Sequence, residues 1–307
     1  MVVRLFFCCL IVATGVDAAA INSSEAIEIG GIKQWIKLDG VDDQAPVLLF
    51  LHGGPGNSVM SYSDRFTAEL KKNFVVALWD QRASGQTAEL NKSSQPLTVS
   101  LFVSDAIEVI EYLRNKFSKT KIYLVGHSWG GYLGMRVAIE KPELLAGYFA
   151  LSPMINQLES ERLSLQTMHD SAIKTNNLKQ LAELSQIKIP FENGDQLFYH
   201  RKWLSKKMGS TSPTKTKVDS WAKTWLAVFN EASKTNFIAS APEIKCPIYL
   251  LIGSNDYQTY YKLAETYYEQ VICTGKNLYW FTHSAHNPHL TESEKFQEII
   301  ISMLNKN

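Results

Sequence analysis

Cysteine is scarce, four among 307 residues, and Cys8 and Cys9 both fall in an apolar run near the start of the chain. The other two, Cys246 and Cys273, fit either one disulfide in an oxidising compartment or two separate core thiols. No C-x-x-C spacing occurs, which removes a thiol-exchange or metal site of that kind. Charge of one sign is missing too: 31 basic residues face 30 acidic ones, with no basic block to track a phosphate backbone. That argues against a nucleic-acid partner and leaves a small molecule or a short peptide. Long hydrophobic runs are absent as well. LFFCCLIVATGV is too short to span hydrocarbon comfortably; Arg4 stands ahead of it, and Ala18, Ala19 and Ala20 follow where a peptidase would cut. Residues 1–20 therefore read as a secretory signal, giving a secreted or periplasmic mature chain with no stable membrane insertion. Asn22 and Asn91 head N-x-S sequons, relevant only in a host that glycosylates secreted proteins.

What is present centres on VGHSWGG at 125–131, squeezed between an apolar run and a helix-like segment. This is the sequence form of a nucleophile elbow. Gly126 and Gly130 lack a Cβ, so the chain can turn sharply and leave Ser128 at a strained apex with its hydroxyl exposed. A second feature, HGGPG at 52–56, follows the apolar run VLLFL. Its glycines let backbone N–H groups point inward. Such a loop supplies one half of an oxyanion hole and the residue after the nucleophile the other, which here names the amides of Gly54 and Trp129. His52 is expected to brace the loop.

Around these lie alternating strand and helix signals. Residues 26–38 read as a hairpin broken at Gly30 and Gly31, residues 61–72 as a helix, and FVVALW at 74–79 as a buried strand ending in DQR. The acid and base at 80–82 are expected to fix neighbouring loops through a buried ion pair. Apolar residues at three- and four-residue steps predict a helix over 98–117, and Pro142 stops the helix after the elbow. Further strands are expected at 144–151, 247–252 and 277–281, with a closing helix at 293–304. This order predicts a mostly parallel central sheet with flanking helices. From 157 to 240 the helix-like segments lengthen and β-like runs thin out, which reads as a helical cap inserted into the core. The expected division is signal 1–20, core 21–156, cap 157–240 and core again 241–307. Trp221, Trp225 and Phe229 recur at four-residue steps, the spacing of a buried cap face.

A serine nucleophile needs a base beside its hydroxyl and a carboxylate to orient that base. After the cap, GSND supplies Asp256 at a strand end; Glu265 competes but falls in a predicted helix. Of His283, His286 and His289, a loop residue several positions past the strand has the needed reach, which favours His286. Clustered histidines also suggest zinc, yet no H-E-x-x-H motif or matching carboxylate set accompanies them.

Taken together, HGGPG, DQR, GHSWGG, Asp256 in GSND and His286 in SAHNPH resemble the α/β-hydrolase superfamily and, more narrowly, the proline iminopeptidase family of serine aminopeptidases. The resemblance covers nearly the whole mature chain outside the cap. It implies an α/β-hydrolase fold, Ser128 as nucleophile with Asp256 and His286 as its partners, Gly54 and Trp129 as oxyanion donors, no cofactor, and release of N-terminal residues from short peptides. The chain departs from the family in two places. Ala83 follows DQR where glycine is usual, and the cap stretch WAKTWLAVF carries no acid beside either tryptophan, where the family places a glutamate that binds the substrate amine. Glu159, Glu161, Glu183, Glu192 and Glu231 are the cap's other acids of that kind. An ester hydrolase with the same triad is the alternative, and a non-catalytic binding protein a remote one.

Overall fold

The computed structural model describes residues 19–91, 96–240 and 243–304, so the expected signal lies outside the described residues except for its last two positions. The chain opens with an antiparallel hairpin of β1 (Ile21–Ile29) and β2 (Ile32–Gly40). β1 starts five residues earlier than the alternation suggested, because INSSEA is a polar edge strand without an apolar face along its first turnings. Then come β3 (Val47–Leu51), the short α1 (Asp64–Thr67), β4 (Val75–Asp80), α2 (Gly85–Leu90), α3 (Val99–Lys116), β5 (Ile122–His127), α4 (Trp129–Glu140) and β6 (Leu145–Leu151).

The helix expected over 61–72 is confined to α1 and a single 3-10 turn at Leu70–Lys72. Ser63 Oγ donates to the Met60 carbonyl, and Thr67 Oγ1 to that of Ser63, so local side-chain bonds compete with a continuous helix.

Five helices separate β6 from the rest of the sheet: α5 (Gln157–Lys174), α6 (Leu178–Leu184), α7 (Gly194–Lys207), α8 (Lys215–Ser233) and α9 (Phe237–Ser240). They form the inserted helical cap. Asn156, Asn177, Asn193 and Thr214 each accept a backbone N–H at the start of the helix that follows, which satisfies donors a helix cannot pair internally. Beyond the cap lie β7 (Glu243–Ile244), β8 (Ile248–Gly253), α10 (Tyr261–Gln270), β9 (Ile272–Cys273), β10 (Lys276–Phe281), α11 (Pro288–Thr291) and α12 (Ser293–Ser302). Cys246 and Cys273 are free thiols, which decides between the two readings of that pair.

The main sheet is eight-stranded in the order β1-β2-β4-β3-β5-β6-β8-β10, and β7 pairs with β9 in a small sheet of its own. From β4 to β10 every neighbour is parallel; antiparallel pairing is confined to β2, against β1 on one side and β4 on the other. Side chains alternate between two buried faces. Leu49, Leu51, Ala77, Trp79 and Leu124 pack on the side of α3 and α4, while Leu48, Phe50, Val76, Leu78 and Val125 pack on the side of α1 and α12. Burial on both faces is why these strands are continuously apolar rather than alternating.

The register brings the strand ends level. Leu51 pairs with Gly126, His127 with Leu151, and Gly253 with Phe281. The loops carrying HGGPG, Ser128, Asp256 and His286 therefore all leave the sheet at its carboxyl edge, the edge at which open α/β sheets bind ligands.

Candidate active site

Ser128 sits at φ 55° and ψ −113°, a left-handed backbone that a side-chain-bearing residue adopts only when its surroundings hold it. Its N–H donates to Leu151 O at 3.0 Å, and its carbonyl accepts from Tyr132 N at 3.0 Å and Met154 N at 3.3 Å. The turn also needs close backbone approach. A Cβ on Gly130 would lie 2.1 Å from Leu51 O, so no larger residue fits there.

The three residues singled out for proton transfer meet. Ser128 Oγ lies 2.9 Å from His286 Nε2, and His286 Nδ1 lies 2.9 Å from Asp256 Oδ2. Asp256 is fully buried and also accepts from the amides of Gln258 (2.9 Å) and Thr259 (3.1 Å) and from Thr259 Oγ1 (2.8 Å). Burial pushes its carboxyl up, but the His286 charge and the hydrogen bonds from His286 and Thr259 outweigh burial and hold it at about 2. An ionised Asp256 only accepts, so Nδ1 of His286 carries a proton and a neutral ring leaves Nε2 free to accept from Ser128.

His283 and His289 stay outside this chain of contacts. His283 donates its main-chain N–H to Glu292, and His289 is buried against Phe66 with its ring centroid 4.9 Å away. Glu265 lies in α10 as expected.

The amides of Gly54 and Trp129 donate to no acceptor among the described residues, and Gly54 lines the cavity in front of Ser128. His52 braces the loop: Nδ1 donates to Gly53 O at 2.9 Å, which leaves Nε2 to accept the Gln81 amide at 3.2 Å. Gln81 ties the two halves together, since its Nε2 donates to His52 O and its Oε1 accepts from the Trp129 indole, both at 2.9 Å. Its place inside DQR was a visible signal, but the motif drew attention to the charges on either side. Those charges do not pair with each other. Arg82 binds Asp105 of α3 through Nε and Nη2 at 2.8 and 2.9 Å, whereas Asp80 accepts the Gln86 amide at 2.8 Å. The expected ion pair exists with a different acid, because β4 ends at Asp80 and Arg82 lies in the turn beyond it, where its guanidinium reaches Asp105 of α3 while the Asp80 carboxylate is taken by the backbone of its own turn.

Two further features escaped the sequence. His127, the variable position of the elbow motif, donates from Nε2 to the main-chain carbonyl of His286 at 2.8 Å. Burial, with His286 close by, pushes its pKa down to about 3, so it is a neutral donor. The second feature is the cap's engagement with the HGGPG loop. Trp221 Nε1 donates to Pro55 O at 2.8 Å, and Gly56 lies so close to Trp225 that a Cβ would meet the indole at 2.5 Å. The tryptophan stripe is thus not merely cap interior. It clamps the loop that carries Gly54.

Between cap and sheet is a cavity of about 570 Å³ reached by Ser128 and Gly54, with Met154, Leu197, Trp221 and Phe229 as apolar walls. Among the described residues no aspartate or glutamate lines it, and its charged lining residues are Arg201 and Lys217. Glu161, the most buried of the candidate cap acids, is held by Arg201 at 2.5 and 2.7 Å and by Gln157 at 2.7 Å. Burial pushes its carboxyl up, and Arg201, His200 and Gln157 together more than reverse this. Glu183 is paired with Lys202 and Trp203, and Glu231 accepts the Val99 amide.

A parallel sheet with a capped serine at a strand-to-helix elbow, relayed through histidine to a buried aspartate, defines an α/β-hydrolase, and within that class a serine hydrolase. The chain belongs to the serine aminopeptidase S33 family, whose pattern it matches over residues 42–294. It is 29% identical to a probable aminopeptidase, YbaC, of Bacillus subtilis, over 91% of this chain and 95% of that one. Among solved structures it is similar to a proline iminopeptidase of Mycobacterium smegmatis (TM-score 0.65, 18% identity, 92% of this chain and 98% of that one). It is similar to an esterase of Exiguobacterium antarcticum to nearly the same degree (TM-score 0.62, 16% identity, 92% and 100%). At such identities the likeness establishes the fold, and the fold hosts both chemistries.

Proposed function

We propose that the protein is a serine aminopeptidase of the proline iminopeptidase type, releasing N-terminal residues from short peptides through an acyl-enzyme. The observation that carries acyl transfer is the unbroken relay from Ser128 Oγ through His286 to Asp256, 2.9 Å at each step, opening into the cavity between cap and sheet. In this reading His286 takes the Ser128 proton as Oγ attacks the scissile carbonyl, and Asp256 holds the ring and stabilises its charged form. The amides of Gly54 and Trp129 receive the tetrahedral oxyanion. Proton return from His286 releases the leaving amine, and water repeats the sequence on the ester. The parts present accomplish each step without a cofactor.

The peptide half of the proposal rests on family membership and on the names of its relatives. In the same reading residues 1–20 act as a secretory signal and the enzyme works outside the cytoplasm. Among the described residues no helix is long and apolar enough to cross a membrane.

One observation favours a second reading, an ester hydrolase using the same residues. A free substrate amine calls for a carboxylate in the cavity, and among the described residues none lines it, the buried cap acid Glu161 being occupied by Arg201. Two measurements test these. A fluorophosphonate should label the wild-type chain and not S128A; labelling that survives in S128A removes the nucleophile assignment. Aminoacyl-arylamides with free and blocked amines, set against short-chain esters, separate the readings. Turnover only of free-amine amides supports the aminopeptidase, and turnover confined to esters supports the rival.

A further inference from the structure

Arg201 is only partly used by the protein that surrounds it. Its Nη1 and Nη2 grip Glu161 end-on at 2.7 and 2.5 Å, and Nη1 also reaches His200 Nδ1 at 2.9 Å. Burial brings His200 down to about 4, so the ring is neutral and its Nδ1 accepts from Arg201. A guanidinium has five N–H donors, and these contacts take three. The two left over, on Nε and Nη2, lie side by side along one edge of the planar group, and no acceptor among the described residues takes either. That same edge, in the same chain, shows what it is suited for: Arg82 uses Nε and Nη2 to hold the two oxygens of Asp105. Arg201 nevertheless lines the cavity in front of Ser128.

Charge points the same way. Arg201 and Glu161 together are neutral, but Lys217 of α8 lines the cavity's rim, is exposed, and is in no ion pair among the described residues. Asp256 sits behind His286, outside the lining, so among the described residues Lys217 is the one unpaired charge of the lining, and it favours an anion at its end of the cavity. Glu161 in turn fixes the guanidinium in place, so its open edge is preorganised.

We propose that the cavity recognises a carboxylate on the substrate, gripped side-on by Nε and Nη2 of Arg201 and drawn in by Lys217. The inference rests on the acyl-transfer reading of the same cavity and names its substrate class: short acyl compounds whose end remote from the scissile carbonyl is a free acid. In a peptide that end is the C-terminal carboxylate, which makes the enzyme selective for dipeptides and tripeptides over longer or C-terminally amidated chains. In an ester it is the free acid of a half-ester.

Binding to the S128A variant tests this without turnover. Calorimetry compares alanyl-alanine with alanyl-alaninamide, and monoethyl glutarate with ethyl pentanoate. The free acid of at least one pair should bind about 10-fold or more tightly than its neutral partner, as two charge-assisted hydrogen bonds imply. Which pair shows it tells peptide from ester. R201K keeps a charge for Glu161 but loses the fork, and should erase most of the preference, bringing the free acid's affinity close to that of the neutral partner measured in the same variant. K217Q should weaken the free acid several-fold and flatten its salt dependence. Equal affinities within both pairs, or no measurable binding of either acid, would overturn the proposal, as would a preference intact in R201K. Should R201K not fold, judged by its melting curve, the wild-type-cavity comparison and K217Q still decide. Absence of fluorophosphonate labelling in the wild-type chain would instead strike the catalytic reading, independently of the binding result.

Discussion

At the scale of single residues, the relay depends on where His286 is held, and His127 is the side chain that holds it from behind. The bond from His127 Nε2 to the His286 carbonyl anchors the backbone of a loop residue whose ring must stay within 2.9 Å of Ser128 and of Asp256 at once. His127→Phe keeps a flat ring and removes the donor. It should lower kcat about 10-fold with KM little changed, the size expected for one lost hydrogen bond acting on geometry alone, read in steady-state kinetics on any turned-over substrate. A drop in kcat/KM caused only by a raised KM would contradict it. Ser128, Asp256 and His286 were legible in the sequence because their chemistry demands fixed residue types at strand ends in a fixed order. His127 was not, since any residue can follow the elbow's first glycine and only the three-dimensional return of the 282–287 loop gives it a partner. Gln81 was hidden for a similar reason: its three contacts, to His52 twice and to Trp129, come from segments far apart in the chain.

Among elements, two clamps set the site's shape. The first is the pair Arg82–Asp105, which joins the end of β4 to α3 and also reaches the hairpin, through Arg82 to Gly30 O at 3.0 Å and Gln34 Nε2 to Asp105 at 2.8 Å. Both charges are buried, 4% and 0% exposed, so removing one leaves the other uncompensated. Arg82→Ala should therefore cost about 3–5 kcal/mol of unfolding free energy, measured by urea denaturation at neutral pH. A loss below about 1 kcal/mol would mean water reaches Asp105 and the pair is not a clamp. The second clamp is α8 on the HGGPG loop. A Cβ on Gly56, at φ 90° and against the Trp225 indole, would push cap and loop apart. Gly56→Ala should lower kcat together with the melting temperature, with about 1–3 kcal/mol lost to overpacking and backbone strain. The core strands could be read from their continuous apolarity, and α3 from its three- and four-residue spacing. What the sequence could not show was contact between elements. The stripe of Trp221, Trp225 and Phe229 announces a buried face without saying that the face covers the HGGPG loop. Likewise the charge at 82 announces a partner without naming an acid 23 positions away.

Over the whole molecule, the distribution of buried histidines sets a limit on the acid side. His52, His127, His200 and His289 are each nearly or wholly buried, and in each case burial is the chief force lowering the pKa: to about 3 for His127, to about 4 for His200, and downward for His52 and His289. His127 and His289 also face one another and His286, so a charge on one opposes charge on the others. The folded chain keeps these rings neutral between their native values and the value near 6.5 of an unfolded chain, where the unfolded state binds more protons. Stability must therefore fall as pH falls, by up to about 1.4 kcal/mol per pH unit for each such ring. This loss begins near pH 6.5 and for His200 is complete by about 4. Asp256 adds a later loss in the same direction: its carboxyl is held at about 2 in the folded chain, so its contribution is whole above the ordinary carboxylate range and disappears as pH drops toward 2. Urea unfolding at pH 8, 6.5, 5 and 4 should show a flat plateau above 7 and a steep decline below 6. Replacing His200 with Gln, which keeps an acceptor for Arg201 Nη1 and cannot be protonated, should make that decline shallower by about one proton's slope while leaving the plateau lower or unchanged. An unchanged acid limb in His200→Gln would mean that the cap opens before His200 is protonated. The cap and the sheet would then unfold as separate units rather than as one cooperative molecule.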